Sequence, residues 1–391
     1  MKDRSKNSVY TNGKALGSVF IKSAIHSGNP DGFLVNSKSG KNVVYLDWMN
    51  NQCANFWSTQ VAQYAQSVPF DGLWTTMNEP YGDISGELST SKLLAEEKEE
   101  PFLDTPRELF DGAVGDNQTY DQSWFYSFWP LKDNSTYKLP FVPGFPQSGN
   151  YDHLSLSLNA THSGNIQEYN LHNLYALGMM NATSVGAKQN NDKRPFILTR
   201  GSFASTSRFA ASQPHTNNQR SWDSLYFGLQ SVLRSQMFGM PHTGSDVCGF
   251  TSDNKTLDEE LCLRWYQLAT FFPLARHAQD PNAVRSEPFK FQKYKTQVLK
   301  TMHDRMQYLR LMYTCMFEVT DSGGTCLDPV HFRYPVSSDK FKAVLPDVTT
   351  QFIFSGSLLV SPIMNATTQP TFQAYFPKGN WVNMADWTEV I

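Results

Sequence analysis

Nowhere in the 391 residues does an apolar run approach the ~18 residues that a membrane-spanning helix needs, and the mean hydropathy is −0.44. No transmembrane segment is expected. Charge of one sign is also lacking: 33 Lys and Arg face 36 Asp and Glu, a net charge of −3. That leaves no electrostatic footprint for nucleic acid or anionic lipid, and uncharged partners such as sugars fit better. Cysteine is sparse. The five, Cys53, Cys248, Cys262, Cys315 and Cys326, show no C-x-x-C spacing, which argues against a zinc site, and their odd number leaves at least one thiol free. No H-x-x-x-H or clustered carboxylate suggests another metal, and Gly323-Gly324 reads as a turn rather than a phosphate loop. Neither cofactor nor metal is expected. The start, Met1-Lys2-Asp3-Arg4-Ser5-Lys6-Asn7, is basic but leads into no apolar stretch, so no secretory leader is expected within the chain.

What is present describes a globular protein: 40% hydrophobic, 14% aromatic and 18% charged residues. The length allows one large domain and part of another, an α/β barrel alone taking roughly 250 residues. Sequons at Asn117, Asn134, Asn159, Asn181, Asn254 and Asn365 point to an extracellular, cell-surface or lumenal location.

Residues 1–40 are polar and loop-like around the apolar patch Val19-Phe20-Ile21. Val43–Leu46 predicts a strand. From Trp48 to Ser67, Met49, Cys53, Phe56, Trp57, Val61 and Tyr64 recur at helical spacing, and Val68-Pro69 then opens the apolar run Phe70–Trp74. That is one step of an α/β barrel. Residues 81–150 break the rhythm with an acidic patch at 96–100 and the aromatic cluster Trp124–Trp129. So long an insertion lies either above a site or against a neighbouring domain. Helical periodicity resumes near Tyr169–Gly178, Arg194–Arg200 reads as a strand ending in arginine, and Ser221–Phe238 as a helix. Gly244–Phe250 is a strand-to-loop exit with Asp246 at its tip; 261–278 and 290–319 read as helices. Beyond residue 333, short runs at 351–354, 358–362 and 372–377 predict an antiparallel sheet.

The run Phe70-Asp71-Gly72-Leu73-Trp74-Thr75-Thr76-Met77-Asn78-Glu79-Pro80 closely resembles the nucleophile motif of glycoside hydrolase family 31, the α-glucosidase family, usually F-D-G-L-W-I-D-M-N-E-P. His172-Asn173-Leu174-Tyr175 resembles the family's H-N-L-Y-G helix, and Gly379–Asn383 its strand after the barrel. The resemblance covers roughly residues 40–391. It implies a (β/α)8 TIM-type barrel over 41–332, with its N-terminal strands missing, then the start of a β-sandwich over 333–391. A second polypeptide or protein partner would complete such a barrel.

The family's chemistry is retaining hydrolysis, which needs two carboxyl groups about 5–5.5 Å apart. The aspartate before Met in the family motif is Thr76 here. The acid/base aspartate of R-Y-A-G-H-W-T-G-D falls on Thr216 when counted from Arg208, or on Asn217 when counted back from Trp222. The aromatic upstream of it is Gln213, and the family's R-N-H becomes Arg276-His277-Ala278. Matching framework residues remain, and Trp74, Met77, Arg200, Asp246, Phe250 and His277 are the expected substrate contacts. The pattern implies a scaffold without hydrolase activity, serving as a structural or glycan-binding glycoprotein that takes an α-glucoside if its pocket is retained. The rival is an active α-glucosidase recruiting Glu79 and Asp246, helped by Asp223 or His215. Cys248 and Cys262 resemble a pair bridged in some family members, and His172 is expected to hydrogen-bond within the wall.

Overall fold

The computed structural model describes residues 8–17, 19–22, 33–36, 41–76, 78–80, 156, 160–189, 193–212, 215–216, 218–252, 256–335, 348–367 and 371–388. The 81–150 insertion, Met77, Gln213, Asn217 and the sequons at Asn117, Asn134, Asn159 and Asn254 lie outside the described residues. The chain divides into two compact units, Met1–Phe209 and Ala210–Ile391.

In the first unit a short hairpin, β1 (Phe33–Asn36) with β2 (Lys41–Val44), precedes helix α1 (Asn51–Ser67). The Asn50 side chain caps α1 by accepting from the Gln52 amide at 2.8 Å, and Val68 takes extended backbone ahead of Pro69, as proline demands of its predecessor. Strand β3 (Gly72–Thr75) follows. Helix α2 (Tyr175–Lys188) leads in the same way to β4 (Phe196–Thr199), which pairs with β3 in parallel, Thr75 level with Thr199. The two αβ steps lie side by side because the helices approach closely. A Cβ on Gly186 would stand 2.6 Å from the Ser58 carbonyl oxygen, and one on Gly178 would stand 2.5 Å from Trp48 Cβ. Across the seam Trp57 Nε1 donates to Thr183 Oγ1 at 2.8 Å. Val19-Phe20-Ile21 is fully built into this unit's core: Phe20 bridges Leu46 and Lys22 bridges Thr161.

The second unit repeats the parallel theme. Helix α3 (Trp222–Met237) is capped by Ser221, whose hydroxyl accepts from the Ser224 amide, with Asp223 in its first turn. It leads to β5 (Gly244–Asp246), paired in parallel with β6 (Leu274–Arg276). Gly244 is required, since a Cβ there would lie 1.7 Å from the Leu274 carbonyl oxygen. Helix α4 (Glu259–Ala269) and the long helix α5 (Lys295–Ser322) cover the core around Trp265, Phe272, Leu229 and Val298. The helix expected over 261–278 therefore ends early. Pro273 cannot continue it, and residues 274–276 become a strand.

An antiparallel sheet closes the chain: β7 (Leu327–Pro329), β8 (Phe352–Phe354) and β9 (Leu358–Val360) in that order. The strand expected at 372–377 does not form. Tyr375 is held instead by one side chain, its amide donating to Gln351 Oε1 at 2.8 Å and its carbonyl accepting from Gln351 Nε2 at 3.0 Å.

Candidate active site

Side chains that leave the carboxyl ends of parallel strands are where α/β folds place their chemistry. At the β3 exit Thr76 is exposed, and Trp74, two residues earlier, is 39% exposed. Behind them the framework is tightly built. Asn78 is buried, donates through Nδ2 to Thr199 Oγ1 and accepts from the Gly201 amide, both at 2.8 Å, which locks the β3 exit to the β4 exit. Arg200 Nε lies 2.9 Å from Glu79 Oε1, and its Nη2 lies 2.7 Å from Oε2. This paired donation engages both Glu79 oxygens. Glu79 is thus a clamped acceptor, and a general acid would need one of those oxygens protonated and aimed at substrate.

The same unit holds a cluster that spacing along the sequence does not reveal. His162 Nδ1 stands 2.8 Å from Asp47 Oδ1 and its Nε2 stands 2.7 Å from Glu168 Oε2; Glu168 Oε1 lies 2.9 Å from His172 Nδ1. The Ser163 amide and hydroxyl both donate to Asp47 Oδ2 at 2.7 Å. All of Asp47, His162 and Glu168 are buried. Burial pulls the His162 imidazolium down, but hydrogen bonds with Asp47 and Glu168 outweigh it and carry its pKa to about 9. Burial likewise pushes Asp47 up, and the bonds from His162 and Ser163 more than reverse that, leaving it below the usual carboxylate range. The nearby Cys53 thiol is pushed up to about 12 by burial and by the Asp47 charge. His172 hydrogen-bonds within the wall, as the sequence led us to expect.

In the second unit, Thr216 is half-buried and its hydroxyl finds no hydrogen-bond partner among the described residues. Next to it His215 Nε2 donates to the Ser224 carbonyl at 2.9 Å. Burial drives the His215 pKa down to about 4, that carbonyl only partly offsetting it. The ring is neutral at ordinary pH, with Nε2 committed as a donor. Asp246, fully buried at the β5 exit, accepts from Arg276 Nη1 at 2.9 Å. The carboxylates of the rival catalytic reading, Glu79 and Asp246, are therefore each held by an arginine.

The loop after β5 needs left-handed backbone at Cys248 (φ 68°) and Gly249 (φ 76°). A Cβ on Gly249 would lie 2.5 Å from Arg220 Cα, so only glycine fits. Arg220, nearly all buried, fastens the loop by donating to the carbonyls of Cys248 (2.7 Å) and Val284 (3.0 Å) and to Ser286 Oγ (2.8 Å). Ser286 gives its own proton to Gln279 Oε1 at 2.8 Å, so His277 Nε2, 3.0 Å from the same hydroxyl, must be the donor. Burial lowers the His277 pKa. Phe250 is half-buried, its amide donating to the Asn218 carbonyl at 2.7 Å. The disulfide Cys248–Cys262 is present, and a second, Cys315–Cys326, joins α5 to β7; Cys53 is a buried free thiol.

Parallel αβ steps with polar strand exits, followed by an antiparallel β sheet, are the parts of an α/β barrel with a β domain after it. Residues 1–315 match the glycosyl hydrolases family 31 TIM-barrel domain and 323–390 the glycosyl hydrolase family 31 C-terminal domain; the chain belongs to that family. A probable alpha-glucosidase of Oryza sativa subsp. japonica is 28% identical over 348 residues, 89% of this chain and 33% of the relative. The lysosomal alpha-glucosidase of Mus musculus is 29% identical over 343 residues, 87% of this chain and 30% of that protein. The crystal structure of an ER glucosidase II heterodimeric complex, of a catalytic subunit with the binding domain of a regulatory subunit, superposes with a TM-score of 0.69 at 19% identity, covering 99% of this chain and 34% of that one. The chain thus spans about a third of the length of the curated relatives it matches.

Proposed function

We propose that this chain is an α-glucosidase-like family 31 protein that does not hydrolyse glycosides and serves as a glycan-binding or structural component of an assembly. The observation that carries the reading is Thr76, an exposed hydroxyl at the β3 exit where the family motif has its nucleophilic carboxylate. A threonine without an adjacent base is a weak nucleophile and supplies no negative charge to an oxocarbenium-like centre. Losing one such group costs on the order of a thousandfold or more in rate. The second position, Thr216 or Asn217, offers no proton-donating carboxyl either.

Trp74, Met77, Arg200, Asp246, Phe250 and His277 are the residues we assign to sugar contact. The secretory pathway or the lysosome is the proposed location, supported by the lysosomal relative, the two disulfides and the exposed sequon at Asn365. A protein partner is proposed by analogy with the heterodimeric glucosidase II complex.

Titration of the purified chain with maltose in a calorimeter, with free glucose assayed in the same sample, tests this. The expected result is heat of binding without glucose release. Release of glucose at enzymic rates returns the chain to the active α-glucosidases, and neither heat nor release reduces the role to architecture.

A further inference from the structure

Two loops leave the carboxyl ends of the parallel pair in the second unit, residues 247–252 after β5 and 277–287 after β6. Each carries a side chain assigned above to sugar contact, Phe250 in the first and His277 in the second. Neither loop forms a regular ladder, so a few bonds decide where these two side chains stand. The Phe250 amide donates to the Asn218 carbonyl at 2.7 Å, and the Phe250 carbonyl accepts from the Asp280 amide at 2.8 Å, a backbone link between the loops. The 277–287 loop closes on itself around one hydroxyl. Ser286 Oγ accepts from His277 Nε2 at 3.0 Å and donates to Gln279 Oε1 at 2.8 Å, which also takes the Ser286 amide at 3.0 Å.

Arg220 joins the two loops. Its guanidinium, 4% exposed, donates through Nε to the Cys248 carbonyl, two residues before Phe250, through Nη1 to the Val284 carbonyl and through Nη2 to Ser286 Oγ. From one place in the chain it grips segments 28 and 66 residues away. All three acceptors are uncharged. Burying a cation is costly, and no carboxylate among its acceptors offsets that; what the three bonds secure is the spacing of the loops. The planar fork of a guanidinium suits acceptors spread in this way. With Arg220 and His277 both donating to Ser286 Oγ, that oxygen's acceptor capacity is filled and its proton is committed to Gln279, so turning the His277 ring gives up its place in a closed set. We infer that Arg220 is the positioning residue of the sugar site in this unit: without touching the sugar, it sets Phe250 through the Cys248 carbonyl and His277 through Ser286, and it holds both loops as one body. The inference takes its ligand from the sugar-binding reading above, and the coupling of the loops from the hydrogen bonds alone.

Hydrogen exchange read by mass spectrometry and maltose titration in a calorimeter test this on the purified chain beside Arg220→Lys and Ser286→Ala, each also combined with His277→Ala. The temperature is one at which circular dichroism shows the variants folded. Lysine keeps the charge but donates from a single point and cannot span the three acceptors. Arg220→Lys should speed exchange at least about tenfold in both 248–252 and 279–287, and weaken maltose binding at least about tenfold. Ser286→Ala leaves both carbonyl bonds in place and carries the test if Arg220→Lys does not fold. It should loosen 279–287 alone and weaken binding about twofold to tenfold. In the His277→Ala background Ser286→Ala should add no further loss and Arg220→Lys less than in the native chain, because both act through that ring. Losses that simply add would assign the two residues to general stability and overturn the proposal, as would maltose affinity indifferent to both changes. A native chain that gives no heat with maltose overturns the assignment to a sugar site together with the reading it rests on. Exchange that rises in one loop only under Arg220→Lys, or in neither, overturns the coupling of the loops whatever the sugar does.

Discussion

Thr76 was legible because the motif around it is contiguous: ten neighbouring residues locate the position and the side chain can simply be read. The Asp47–His162–Glu168 cluster was not, because Asp47 and His162 are 115 residues apart and no spacing rule joins them. Its consequence is a pH dependence. His162 has a pKa raised to about 9, above its ordinary value of 6.5, so the stability it contributes is complete below about pH 6.5 and is lost as pH rises through 9. Asp47 is lowered from 3.8, so its contribution is present above that pH and is lost on acidification through its depressed value. The two windows overlap from about pH 4 to 6.5. Tyr175 and Cys53, which face the cluster from α2 and α1, are both pushed up by burial and stay neutral across that range. Replacing His162 by Gln should therefore cost on the order of 3 kcal/mol at pH 6, where the imidazolium joins two buried carboxylates, and markedly less at pH 10. Urea unfolding at the two pH values measures the difference, and a penalty independent of pH would mean that His162 is neutral in the fold.

Among the elements, those with a strong period were found in the sequence, with their starts displaced. Helix α1 had its apolar spacing and Pro69 beyond its end but begins at Asn51 rather than Trp48; α5 had nearly eight turns of repeat but runs over Lys295–Ser322 rather than 290–319. The failures were short pieces whose state is decided by neighbours. Residues 274–276 become a strand because β5 offers a parallel partner, and within 372–377 the amide and carbonyl of Tyr375 are taken up by the Gln351 side chain rather than by a ladder. The α1–α2 contact depends on glycines whose purpose is visible only when the helices are placed together. A methyl group at Gly186 would press into the Ser58 backbone, which has no flexible end to move aside. Gly186→Ala should lower stability by about 1–3 kcal/mol despite its better helix propensity. Thermal melting would show the loss, and a gain from the propensity change would contradict the close approach of the two helices.

At the scale of the whole molecule, the order of apolar strands ending in polar clusters with helices between them showed αβ steps and a final antiparallel sheet, and the family resemblance of the motifs supplied the barrel. The electrostatics of the strand exits was not, since Glu79 and Arg200 are 121 residues apart, yet their pairing and that of Asp246 with Arg276 decide what the exits can do. Of the glycosylation positions, Asn365 is exposed in a loop. Expression in a secretory host should attach a glycan there, and Asn365→Gln should remove one endoglycosidase-sensitive step on a gel; an unchanged pattern would mean that the site is not used. The claim on which the functional account stands is that the scaffold has lost its carboxylates and not its fold. Hydrolysis of an activated aryl α-glucoside, from acid to neutral pH, tests it most directly when the native chain is assayed beside a Thr76→Asp, Asn217→Asp double variant. The account predicts a silent native chain that remains folded, and a variant gaining measurable turnover. Ordinary enzymic rates from the native chain would contradict it.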